Sequence, residues 1–208
     1  MKTILRFTIL RSPFKYMALL IFMGLASGQD LKAQSNYKLN AAKENLIRVS
    51  GKSNVHDWEM TANNPTCEAD FGSLAGNENV PKTLSSLSFS VNAKSLKSEH
   101  SSMDTRTYKV IKADEHPKIS FKLSNAVITP ISKGKFSVKA TGTLSIAGVS
   151  KMITMQVNST VNPDQSITCT GTQRVKLTDY SIQPPSFMLG AMKVGDELSI
   201  NYNLTFKN

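Results

Sequence analysis

The chain has 208 residues, with 25 Lys and Arg against 15 Asp and Glu and a formal charge of +10. That length carries one domain, two at most, and buries an adequate core without disulfides. The lysines are spread along the chain, mostly alternating with apolar residues, so the charge reads as a solvated surface and not as the clustered footprint of a nucleic-acid binder.

The first 33 residues read as a secretory signal, and 34–208 as one folded domain. Lys2, Arg6, Arg11 and Lys15 make a basic start with no acid. An apolar run over 16–25 follows, and then Ala26, Ser27 and Gly28, the pattern of a cleavable leader. The run is shorter than the ~20 residues that a membrane span needs. Cleavage is expected after Gly28 or after Ala33. The second choice leaves 175 residues and lowers the net charge to +6, since Lys32 and Asp30 leave with the other four bases. Gln29 stands where a lipid-anchored protein would need Cys. The expectation is a soluble exported protein, periplasmic or secreted.

Period-two alternation dominates the remainder, the mark of strands with one wet and one dry face. Weaker candidates lie at 37–39, 46–50, 55–61 and 68–71. Leu87, Phe89, Val91 and Ala93 alternate with polar residues. The pattern then breaks. Over 102–116, Met103, Thr107, Val110 and Ile111 share one helical face. Ser102 is suited to cap that helix, Asp104 and Lys109 suit its dipole, and Pro117 is expected to end it. This helix would plug or cover one side of the fold. Ile119, Phe121 and Leu123 resume the alternation. It is clearest over 135–146, where Phe136, Val138, Ala140, Gly142, Leu144 and Ile146 are the dry set. Residues 147–150 read as a hairpin loop. Ile153, Met155 and Val157 follow, then a weaker strand at 168–177. In 183–192, Pro184-Pro185 cannot lie in a central strand; the apolar residues after it make either a flap over a barrel mouth or a corner packed on the core. Leu198, Ile200, Tyr202, Leu204 and Phe206 close the chain. Eight or more such strands imply an all-β antiparallel barrel or sandwich.

Little in the chain points to chemistry. His56, His100 and His116 lack metal-ligand spacing, and no nucleophile elbow or phosphate loop occurs. His56 and Asp57 are neighbours on a strand and so point to opposite faces. Cys67 and Cys169 could form a disulfide or remain buried thiols. No enzyme activity and no cofactor are expected. The dry face remains: its side chains either fill the barrel or leave room for one ligand, and periodicity alone does not choose.

Several segments, in order, carry a resemblance. They are SNVHDWEM (53–60), LSFSVNAKSLKS (87–98), MDTRTYKVIKADEHPKISF (103–121), ATGTLSIAGVSKMITMQV (140–157), LTDYSI (177–182) and VGDELSI (194–200). Together they resemble the YceI-like family of periplasmic and secreted lipid-binding proteins. The resemblance implies a lipocalin-like, extended eight-stranded antiparallel barrel with one short helix. It implies a long-chain hydrophobic ligand inside: a polyisoprenoid, an isoprenoid quinone or a similar lipid. The apolar tail is then expected against Phe89, Phe121, Phe136, Val138 and Leu144, and against Met155, Ile200, Tyr202 and Leu204. His56, Trp58, Asp179 and Tyr180 carry the family-like motifs and are expected near the polar head or the mouth. The chain departs from the family at its end, with Tyr180-Ser181 where Phe-Gly is common and no Arg at that turn. A lipid ligand, transient contact with a membrane surface, and a monomer or homodimer are the partners expected. The alternative is a filled barrel that acts as a structural or interaction protein through its basic surface.

Overall fold

The computed structural model describes residues 35–208; the leader and both cleavage points lie outside the described residues. The described strands are β1 (Ser35–Leu39), β2 (Leu46–Ser53), β3 (Asp57–Ala62), β4 (Thr66–Phe71), β5 (Leu74–Ala75), β6 (Val80–Pro81) and β7 (Leu84–Asn92). After them come β8 (Leu96–Lys97), helix α1 (Ser101–Val110), β9 (Lys118–Ser132), β10 (Lys135–Ile146) and β11 (Val149–Val161). β12 (Ile167–Lys176), β13 (Ser186–Phe187) and β14 (Met192–Lys207) complete the set. The fold is all-β: an eight-stranded antiparallel barrel with extra short strands and one short helix.

The ring runs β1–β4–β7–β9–β10–β11–β12–β14 and closes where β14 pairs with β1. That closing contact is short, with Lys38 opposite Lys207 and Leu39 opposite Phe206. The rest of β14 pairs with β2, from Asn203–Leu46 to Val194–Ser53. β1 and β2 thus form one stave interrupted at 40–45. β4 with β3, and β7 with β8, are interrupted in the same way. Asn45 holds the first interruption, its Oδ1 accepting from the Thr205 N–H at 3.0 Å.

Turn chemistry sets the register. β10 and β11 pair without a break from Ile146–Val149 to Lys135–Thr160. The turn between them is Ala147-Gly148 alone, with φ of 49° and 80°, the two-residue form whose twist matches a hairpin. Val149 and Ser150, expected in the loop, are strand residues. In β9 the register shifts between Thr141 and Gly142 of its partner, leaving Ser124 unmatched. This bulge flips the face of everything after it. Phe121 and Leu123 point inward before it, Ala126 and Ile128 after it, and Val127 and Ile131 are left outside.

Helix α1 is shorter than the sequence suggests. His100 precedes its first turn, no side chain caps it, and Ser102 lies inside it. It ends at Val110 because Lys112 turns left-handed (φ 50°). The Ala113 N–H then reaches the Tyr108 carbonyl at 2.8 Å and the Lys112 N–H the Lys109 carbonyl at 3.2 Å, a Schellman closure. Pro117 is not the terminator. Buried Asp104 ties the helix to β8, its Oδ1 accepting from the Ser98 N–H (2.7 Å) and Oγ (2.8 Å).

One end of the barrel is packed solid. Phe71 stacks edge-on with Tyr37 (5.4 Å between centroids) and Phe206 (6.3 Å). Phe136 and Ile167 beside them are wholly buried. The other end, ringed by the 147–148 turn, the β2–β3 turn, α1 and residues 183–192, is the mouth.

Candidate ligand cavity

Above the aromatic floor the barrel is hollow. A cavity of about 410 Å³ runs from Phe71 and Phe206 to His56, Arg106 and Met192 at the mouth, within the range of small-molecule sites. The interior is therefore not the filled core of the alternative reading.

Strand alternation places most of the wall. Phe89, Phe121, Val138, Leu144, Met155, Ile200, Tyr202 and Leu204 all line the cavity. Phe136 does not. It sits next to the β9–β10 turn, opposite Pro130 and Ser159, within the packed floor. Trp58 and Tyr180 also line the cavity, and His56 stands at its mouth. Asp179 points to solvent. It lies in the 3₁₀ turn Thr178–Tyr180, whose geometry buries Tyr180 and turns the preceding side chain out.

Polar contacts fix the mouth. The Ser53 hydroxyl donates to the His56 carbonyl at 2.8 Å, and His56 Nδ1 donates to the Asp57 carbonyl at 2.8 Å. Asn54 clamps this turn to the start of β14: its Nδ2 donates to the Ala191 carbonyl (2.9 Å) and its Oδ1 accepts from the Lys193 N–H (2.7 Å). The 183–192 segment is the flap of the two readings. Its Pro185, Phe187 and Met192 line the cavity, and the Arg106 guanidinium of α1 lies 5.0 Å from the Phe187 ring centroid. Met188 and Leu189, both left-handed, project outward and are 72% and 110% exposed.

Sequence reasoning missed part of the wall. Met103, Arg106 and Thr107 of α1 face the cavity; their shared helical face was the available signal. Cys67 on β4 and Cys169 on β12 both line it as free thiols. Burial pushes the Cys67 thiol up to about 12, with Cys169 and Glu68 adding to the effect. Burial likewise lifts Cys169 to about 11 against the Ser159 hydroxyl 3.3 Å away. Both are protonated at neutral pH. Among the described residues no three His, Cys, Asp or Glu side chains converge to hold a metal.

Comparison with known proteins agrees with this geometry. A family model described as a YceI-like domain matches residues 37–206. Burkholderia cenocepacia BcnA is similar in structure, with a TM-score of 0.62 at 19% identity over 80% of this chain and 98% of that one. A polyisoprenoid binding domain from Saccharophagus degradans, implicated in plant cell wall breakdown, gives 0.61 at 11% identity over 82% and 97%. The Campylobacter jejuni YCEI protein gives 0.54 at 20% identity over 76% and 85%. At these identities the likeness is one of fold. No curated protein matches the chain in sequence.

Proposed function

The chain belongs to the YceI-like domain family, and from that premise we propose that it is a non-enzymatic carrier. It holds one long-chain hydrophobic ligand, a polyisoprenoid, an isoprenoid quinone or a similar lipid, for transport, storage or sequestration outside the cytoplasm. The observation that carries this reading is the apolar cavity, unbroken from floor to mouth. Each buried CH₂ contributes about 0.8 kcal/mol, so a prenyl chain binds there with few hydrogen bonds. The leader-like residues 1–33 support an exported setting. One fold relative is described as polyisoprenoid binding, which supports the ligand class. Outward Met188 and Leu189 beside the mouth suit brief contact with a lipid surface during transfer.

Native mass spectrometry of the protein purified from its exporting host, followed by solvent extraction, tests the proposal. The expected result is a stoichiometric adduct that extracts as a prenyl lipid. A clean apo mass with no shift on adding long-chain isoprenoids overturns it. Ala140→Phe supplies the control. Ala140 lines the cavity and is 4% exposed, so the added ring occupies the ligand's space. Binding should weaken at least ~10-fold, about 1.4 kcal/mol, while the barrel stays folded.

A further inference from the structure

Among the described residues, the two most exposed large apolar side chains stand side by side: Met188 and Leu189. They form the tip of a hairpin. β13 and β14 pair through Ser186–Lys193 and Phe187–Met192, and the Ala191 N–H closes the turn on the Met188 carbonyl at 3.1 Å. Both tip residues have φ of 54°, a left-handed conformation that glycine takes readily and a bulky side chain resists. Such strain persists only where the surroundings enforce it, and it gathers at functional positions. Here its effect is to send two apolar side chains into solvent. Val55, exposed at the β2–β3 turn, stands beside them. The Asn54 N–H donates to the Lys193 carbonyl (3.1 Å) and its Nδ2 to the Ala191 carbonyl (2.9 Å), which joins that turn to the hairpin. His56, next to Val55, and Phe187, next to Met188, line the cavity. The three exposed residues therefore make an apolar lip on the mouth.

The charge on this lip is positive. Residues 183–195 contain Lys193 and no acid, and residues 52–56 contain Lys52 and no acid. Arg106 of α1 joins them, its guanidinium 5.0 Å from the Phe187 ring centroid. None of these three cations forms an ion pair among the described residues. The acids that follow in the chain are Asp57, opposite Lys52 across β2 and β3, and Asp196, whose carboxylate accepts from the Thr178 N–H and hydroxyl. Projecting apolar side chains with unpaired cations beside them suit a membrane interface. The apolar groups enter the acyl boundary while the cations stay among the headgroups.

We infer that the lip of the mouth docks on an anionic lipid bilayer, with Val55, Met188 and Leu189 inserted below the headgroups and Lys52, Arg106 and Lys193 against the phosphates. The purpose of this docking rests on the carrier reading: an open mouth set against acyl chains lets a cargo pass between bilayer and barrel without crossing water. The docking itself stands on the outer surface alone.

The test is flotation of the protein, purified from its exporting host, with vesicles of phosphatidylcholine alone and of an equimolar mixture with phosphatidylglycerol. Binding to the mixed vesicles should be about 10-fold tighter and should weaken at high salt. Met188→Ser with Leu189→Ser should weaken it about 10-fold without lowering the melting temperature. Lys52→Gln with Lys193→Gln should remove most of the preference for phosphatidylglycerol. Met152→Ser, at an apolar residue 63% exposed on β11, should change nothing. The added emission of Leu189→Trp should shift to the blue on mixed vesicles and be quenched by brominated lipid. Equal flotation with both vesicles, or a loss in Met152→Ser as large as in the hairpin variant, overturns the inference. So does a failure to float combined with a dimer that the hairpin variant dissociates in analytical ultracentrifugation, which would make the lip an interface between copies. Native mass spectrometry of the same preparation separates the two readings. A lipid adduct without flotation overturns the docking and leaves the carrier standing; flotation without an adduct upholds the docking and overturns the carrier.

Discussion

At the scale of single residues, the cavity is defined by groups that the fold holds in an unfavoured state. The two thiols are an example with a measurable sign. An unfolded cysteine loses its proton near pH 8.5, whereas Cys67 and Cys169 keep theirs to about 12 and about 11. Above pH 8.5 the unfolded chain therefore binds fewer protons than the folded one, and stability falls as pH rises. The slope should approach about 1.4 kcal/mol per pH unit for each thiol. Urea denaturation between pH 8 and 10.5 should show it, and the Cys67→Ala, Cys169→Ala double variant should lose most of it. Sequence reasoning reached these residues unevenly. Trp58 and Tyr180 were marked by motif, and both stand on the cavity wall. Phe136 and Val138 are indistinguishable in an alternating strand. Two residues of rise along β10 separate the floor from the cavity wall.

At the scale of elements, alternation located every long strand, and β10 coincides with its expected bounds. It failed where register changes. The bulge at Ser124 reverses parity inside β9, so Ala126 and Ile128 look out of phase with Phe121 although all face inward. Helix α1 was legible as an amphipathic face, but its end was not, because a left-handed Lys112 has no compositional mark. Asp104 and the Tyr108 hydroxyl, which donates to the Leu96 carbonyl at 2.7 Å, both hold α1 over the mouth. Burial alone would raise the Asp104 carboxyl, but the Ser98 N–H and hydroxyl and the Lys97 ammonium outweigh that and hold it below the usual range. A depressed folded-state pKa contributes stability that is complete above the unfolded value, about 3.9. It is lost as pH falls through the folded value. Asp104→Asn should mimic that loss at neutral pH. Hydrogen exchange should then quicken in Ser101–Val110 while the amides of β10 and β11 keep their protection; an unchanged helix would show that Asp104 does not anchor it.

At the scale of the molecule, the closed end and the open end carry different duties. The floor of Tyr37, Phe71, Phe136, Ile167 and Phe206 is where β14 meets β1 and the ring closes. Phe206→Ala should cost about 3–5 kcal/mol, seen as a lower denaturation midpoint, because it opens a void where β1 meets β14. A loss under 1 kcal/mol would place closure elsewhere. The class of this architecture was legible from eight dry faces. Its hollowness was not, since a filled and an empty barrel share the same periodicity and differ only in how far the side chains reach toward the axis.

The wall is not equally stiff around its girth. Twelve residue pairs join β10 to β11, but only four, from Asn158–Thr170 to Val161–Ile167, join β11 to β12. Toward the mouth the two strands part, and the turn carrying Tyr180 packs against β11. Along β10 and β11, widening the barrel means breaking ladder hydrogen bonds. Here it means only shifting a loop. The cross-section can therefore yield at this seam, as a cask gives at a loose stave, and the carrier proposed above should tolerate ligands of different girth beside Tyr180.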